Sequence, residues 1–243
     1  MFRNLTPAVK QILIANIIFF IGKELFELKG QYDLINILGL HYFRNPDFRF
    51  WQPISSMFMH VNAIHIISNM LSLFFIGSVL ENFMGTKKFV ILYFISGFGA
   101  LALDIIMHAV EMYRITGFLF PSLTELNISI EKDLVYFPNT YSKTDIDSIT
   151  QVYYSTVIGA SGALYGIASA FAFYFPNSQL TLMFIPYPIR AKYLIPIILG
   201  LDLFLGVGNF GWDSIAHFAH IGGGITGFIL VWYWRKFDKR NFY

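Results

Sequence analysis

Three groups of polar residues interrupt otherwise apolar stretches of this chain. The first is His60, His65 and Asn69; the second is Gly159, Ala160, Ser161 and Gly162, with Tyr165 one helical turn on. The third is His217 and His220, followed by Gly222, Gly223, Gly224 and Gly227. A serine hydroxyl becomes a nucleophile when a base stands beside it, and a neutral imidazole within about 2.6–3.2 Å can take its proton. Acyl transfer also needs donors for the developing oxyanion; His65, Asn69 and the Ser161 backbone N–H are the available ones. Taken singly, each piece has a plain structural use. Ser in a membrane helix packs or bonds back to its own backbone, a Tyr near a helix end anchors at the interface, and a lone interfacial His is hydrogen-bonded structure.

The elements that must position these groups follow from composition. Of 243 residues, 56% are hydrophobic and only 13% charged, and the mean hydropathy is +0.56. Soluble domains carry about 25% charged residues, so disorder, coiled coil, nucleic-acid binding and an ordinary soluble enzyme are excluded in favour of an all-α polytopic membrane protein. With no cysteine there is neither disulfide nor thiolate chemistry. A span needs about 20 apolar residues. Six fit: 9–28, 63–82, 89–110, 157–175, 193–207 and 214–234, in a single membrane domain covering 1–243, with a polar loop over 111–156. Arg3, Lys10, Lys87, Lys88, Arg190, Lys192, Arg235, Lys236, Lys239 and Arg240 fall on one side, which predicts cytoplasmic termini. The start of spans two, four and six then share one outer depth, and all three polar groups lie there. Gly162 and Gly166 on span four, and Ala219, Gly223 and Gly227 on span six, are small-xxx-small faces that let two membrane helices touch.

These residues resemble the rhomboid family of intramembrane serine proteases. The resemblance covers nearly the whole chain and rests on G-x-S-G with a following Tyr (Gly159, Ser161, Gly162, Tyr165), A-H-x-x-G-x-x-x-G (Ala219, His220, Gly223, Gly227), H-x-x-x-x-H-x-x-x-N (His60, His65, Asn69) and G-x-x-x-E-x-x-x-G (Gly77, Glu81, Gly85). It implies a six-transmembrane-helix bundle that hydrolyses peptide bonds in or near the transmembrane segments of membrane-protein substrates. The glycine register implies His220 rather than His217 as base, working with Ser161 as a dyad without an acidic third member. Tyr165 would orient the imidazole, His65 and Asn69 would hold the oxyanion, and span five with the loop 208–211 would gate the site. No cofactor or metal is implied. The partners are transmembrane proteins and the lipid bilayer, with no nucleic acid, and the expected location is a bacterial plasma membrane, since the chain is near the minimal core without a targeting extension. One departure stands out: Trp51 is followed by Gln52, where the family often has Arg. Asp104 has His108 four residues on, and Asp213 has His217; for Asp202 the sequence indicates no partner.

Three other functions stay open at this level. A metalloprotease would gather His60, His65, His217 and His220, but H-E-x-x-H is absent. A non-catalytic, client-binding rhomboid-like protein would lack the Ser or the His. A transporter would place its polar site at the midplane.

Overall fold

The computed structural model describes residues 5–30, 33–131, 134–182, 185–208 and 216–237. Helix α1 (Pro7–Leu28) starts with Pro at its first turn, where the missing N–H has no partner to lose. The next two orphan N–H groups, on Ala8 and Val9, donate to the Glu81 carboxylate at 2.8 and 2.9 Å. Glu81 also accepts from the Thr86 hydroxyl at 2.8 Å. An anion from a neighbouring helix thus caps α1 and complements its dipole.

The first loop contains α2 (Leu34–Leu38), β1 (Leu40–His41) and α3 (Gln52–Ser55). Gln52 is fully buried. It accepts from the Arg49 N–H at 3.0 Å and the His41 N–H at 3.4 Å, and donates to the Asp47 and Ile37 carbonyls at 2.9 and 3.4 Å. The Trp51 indole N–H adds a bond to Ile37 O at 3.1 Å. Gln52 therefore ties this loop together through all its polar capacity.

Helix α4 (Ala63–Ser72) is capped by Asn62, whose side chain accepts from the His65 N–H at 2.9 Å. One π turn, Leu73–Gly77, joins it to α5 (Ser78–Met84), and the continuous helix Ala63–Met84 has 22 residues. Gly85, at φ 82°, reverses the chain into α6 (Thr86–Thr116). At 31 residues, α6 is about 46 Å long, more than the roughly 30 Å hydrocarbon core. It also runs six residues past the expected end at 110, which shortens the polar loop.

That loop is folded. It holds the hairpin β2 (Ser129–Glu131) and β3 (Leu134–Tyr136), α7 (Lys143–Tyr154) with a reciprocal Ser142–Asp145 capping box, and β4 (Thr156–Val157). Leu126, Ile128, Ile149, Val152 and Tyr153 pack with Tyr42 and Met112 into a second small core. The loop also docks on the first loop: β4 pairs with β1, Asn45 Nδ2 donates to Tyr153 O at 2.8 Å, and the Tyr153 hydroxyl donates to Arg44 O at 2.7 Å.

The expected span at 157–175 starts later, as α8 (Ser161–Tyr174), because Thr156 and Val157 are committed to the strand and Gly159, at φ 127°, breaks the helix. The hairpin β5 (Gln179–Leu182) and β6 (Ile185–Arg190) leads to α9 (Ala191–Gly208), and α10 (His217–Phe237) closes the described chain. The sequence-stretch 208–211 proposed as a gate lies outside the described residues beyond Gly208, as does Asp213.

Helices α6, α8 and α10 form the centre. A Cβ on Gly223 would collide with the Gly162 carbonyl, one on Gly227 with the Gly166 carbonyl, and one on Gly162 with the Ala100 Cβ of α6. By contrast α9 buries only Ala191, Leu194, Ile195 and Asp202. Large apolar side chains such as Ile18, Ile64, Phe204 and Trp232 face outward, an arrangement suited to a bilayer rather than water. Among the described residues three helices, Ala63–Met84, Thr86–Thr116 and Ala191–Gly208, are long and apolar enough to cross a membrane. The other three expected spans depart from that standard for local reasons. Lys23, Glu24 and Glu27 charge the end of α1, α8 has 14 residues, and α10 spends its first turns on His and Gly.

Candidate active site

Ser161 is the first residue of α8. The turn before it is held by the Gly159 N–H, which donates to Ser56 O at 2.9 Å. Only Gly adopts the φ of 127° here without strain. Because Ser161 opens the helix, its own N–H lies in the turn where intrahelical partners are lacking. Opposite it, one turn into α10, stands His220. The Ser161 Oγ and His220 Nε2 are 2.9 Å apart. The Tyr165 ring, on the same face of α8 as Ser161, stacks on the imidazole with centroids 4.2 Å apart and planes 9° apart.

The histidines of the second group surround the serine turn. A Cβ on Gly159 would lie 3.0 Å from both Cε1 and Nε2 of His65 and 3.5 Å from Ser161 Oγ, so the His65 ring and the hydroxyl flank one point. His60 is fully buried behind His65, and their rings meet edge to face at 4.9 Å. Burial, and then the neighbouring His65, push the His60 imidazole down to about 4, so it is neutral at pH 7. Asn69, one turn beyond His65, directs its amide at His60 Nε2 over 2.9 Å. The structure brings Asn69 onto His60 and His65 onto the serine turn. The Asn69 amide has two N–H donors, and this bond uses one.

Reasoning from the sequence missed Asp202. Its carboxylate, in the middle of α9 and 6% exposed, has Oδ1 3.1 Å from His220 Nδ1 and 2.6 Å from His217 Nδ1. The signal was present: an ionisable residue inside an apolar span is a functional candidate by default. His217 is 6% exposed and sits one turn before His220. The site around His220 therefore contains an acidic neighbour that the sequence pattern did not place there. Asp104, the other buried carboxylate in this region, lies 3.6 Å from His108 on its own helix. Asp202, His217 and His220 place ligand atoms within 4.8 Å of one another, a composition able to hold a metal ion; here these atoms are hydrogen-bonded to one another.

This geometry can do nucleophilic acyl chemistry. An ionised carboxylate only accepts hydrogen bonds, so the Asp202 contact favours a proton on the Nδ1 that faces it. In that tautomer Nε2 is bare and accepts from the Ser161 hydroxyl.

A family model, the Rhomboid domain, matches residues 47–237. The chain is 27% identical to "Rhomboid protease AarA" of Providencia stuartii over 190 residues, covering 74% of this chain and 54% of that protein. It is 28% identical to "RHOMBOID-like protein 1" of Arabidopsis thaliana over 74% of this chain and 33% of that one, and 24% identical to "Rhomboid protein 1, mitochondrial" of Saccharomyces cerevisiae over 75% and 41%. The chain spans about a third to a half of the length of these relatives. With the family model matching most of its length, together with its long apolar helices, the chain is an integral membrane protein that belongs to the rhomboid family.

Proposed function

We propose that the protein is an intramembrane serine endopeptidase that cuts membrane-protein substrates in or near their transmembrane segments. The observation that carries this is the 2.9 Å contact between Ser161 Oγ and His220 Nε2, at the mouth of two helices packed through bare glycine backbone. The Ser161 Oγ attacks the peptide carbonyl carbon while His220 Nε2 takes its proton. The oxyanion faces the Ser161 N–H and His65, with the uncommitted Asn69 N–H as a further donor. Collapse of the tetrahedral intermediate breaks the C–N bond, and the departing amine takes the proton from His220. Water, with His220 again as base, hydrolyses the acyl-enzyme and frees the carboxylate product. No cofactor takes part.

The substrate helix must unwind before its carbonyl can reach Ser161. The end of α9 beyond Asp202 is the wall that moves, since none of its residues from 203 to 208 is buried. Six spans with cytoplasmic termini fit the Lys and Arg distribution, with the site near the outer face where water enters. The membrane in this reading is a bacterial plasma membrane, supported by the Providencia relative; yeast and fission-yeast relatives are mitochondrial by name. Cell fractionation decides between these locations. Cleavage of a transmembrane reporter by wild type and not by Ser161→Ala tests the activity. Equal cleavage by both refutes it.

A further inference from the structure

We infer that Asp202 is a positioning residue that holds His220 in the one tautomer able to accept the Ser161 proton, standing in series behind the Ser161–His220 pair. The inference deepens the protease reading and rests on it. Three observations carry it. First, the three side chains lie in series: Ser161 Oγ to His220 Nε2 at 2.9 Å, then His220 Nδ1 to Asp202 Oδ1 at 3.1 Å. Each ring nitrogen thus faces a different partner, which is the geometry in which a carboxylate fixes imidazole orientation and stabilises the imidazolium formed during attack. Second, Asp202 is an expensive residue where it stands. It is 6% exposed in an otherwise apolar helix, where an ionisable side chain is costly to bury. Third, the carboxylate is itself held. The Nδ1 of His217 binds the same Oδ1 at 2.6 Å from one turn up α10, so the oxygen cannot swing away from His220 without breaking that shorter bond.

Tyr165 and Asp202 touch one another but meet the imidazole differently. The Tyr165 ring covers the flat face of the imidazole, 9° from parallel, and stops it tilting. Stacking cannot distinguish the two tautomers, because both present the same face. A hydrogen-bond acceptor at Nδ1 does distinguish them, because only the Nδ1–H form can donate to it. The link also runs from α9 to α10, so the seat of the weakly packed α9 sets the base on the tightly packed α10. The Tyr165 hydroxyl also lies against the Asp202 carboxylate, while Asp104 on α6 and His65 on α4 are the further titratable groups near His220.

The test uses the full chain in detergent, with Asp202→Asn, which keeps the shape but can donate to Nδ1 and leave the proton on Nε2. The expected result is a fall in kcat of about 10²–10⁴-fold at unchanged KM, a parallel slowing of fluorophosphonate labelling, and a melting temperature close to wild type. Nitrogen-15 spectra of histidine-labelled protein, with His220 assigned by difference against His220→Gln, should show a protonated Nδ1 in wild type and a protonated Nε2 in Asp202→Asn. A kcat that follows only the folded fraction, or an unchanged tautomer, overturns the inference. Should Asp202→Asn not fold, the wild-type spectrum decides alone: a neutral His220 protonated on Nε2 overturns the inference. Failure of the protease reading looks different, since wild type itself would then neither label at Ser161 nor cleave.

Discussion

Replacing Gly223 by Ala tests whether the α8–α10 contact sets the catalytic distance. A Cβ there meets the Gly162 carbonyl, which is backbone and cannot rotate aside. The helices must therefore separate or slide by on the order of 1 Å to restore ordinary packing, at about 1–3 kcal/mol of stability. Ser161 is the residue before Gly162, and His220 is three before Gly223, so the displacement falls directly between hydroxyl and imidazole. Added to 2.9 Å, it carries the pair beyond hydrogen-bond reach. A misplacement of that size costs about 10²-fold in rate. The assay is kcat on a transmembrane reporter, corrected for folded fraction by a melting curve. Gly200→Ala on α9 is the control, because a Cβ there meets nothing within 4 Å. Wild-type kcat in a folded Gly223→Ala protein would refute the argument that this glycine contact positions the dyad.

Three further outcomes follow from the same geometry. His220→Ala abolishes cleavage, whereas His217→Ala lowers it but leaves measurable turnover, since His217 acts on Asp202 and not on Ser161; the reverse pattern would move the base one turn along α10. His65→Ala costs more kcat than Asn69→Ala, because the His65 ring flanks the serine turn while the Asn69 amide is on His60; full kcat in both variants would show that the oxyanion is held elsewhere. Glu81→Ala leaves the Ala8 and Val9 N–H groups unsatisfied, so the melting temperature falls, by about 1–3 kcal/mol in stability, while kcat per folded molecule holds; an unchanged melting curve would contradict the capping role.

What could be read from the sequence was backbone proximity. Gly162, Gly166, Gly223 and Gly227 announce a close helix pair because small residues at a four-residue spacing are themselves the contact surface, and that pair brings Ser161 to His220. Partners reached across different elements were not legible. His65 and Asn69 share a helical face by periodicity, but Asn69 turns to His60, which precedes the helix and whose placement depends on the Asn62 cap and the loop before it. Asp202 read as an isolated carboxylate because its partners lie on α10, and periodicity gives faces without naming what they meet. The start of α8 was misplaced because Val157 and Ile158 are apolar, and a short apolar run does not distinguish helix from strand; the strand's partner, Leu40–His41, is remote in the chain. Inside the polar loop, Ser142 and Asp145 carry a capping-box signature that marks the start of α7.

The protease reading is most directly tested by labelling the purified protein with a fluorophosphonate probe and locating the adduct by mass spectrometry, with Ser161→Ala and His220→Ala alongside. Wild type should carry one adduct, on Ser161, and neither variant should react at a comparable rate. An adduct on another residue, or equal labelling of Ser161→Ala, would contradict the assignment of Ser161 as the nucleophile.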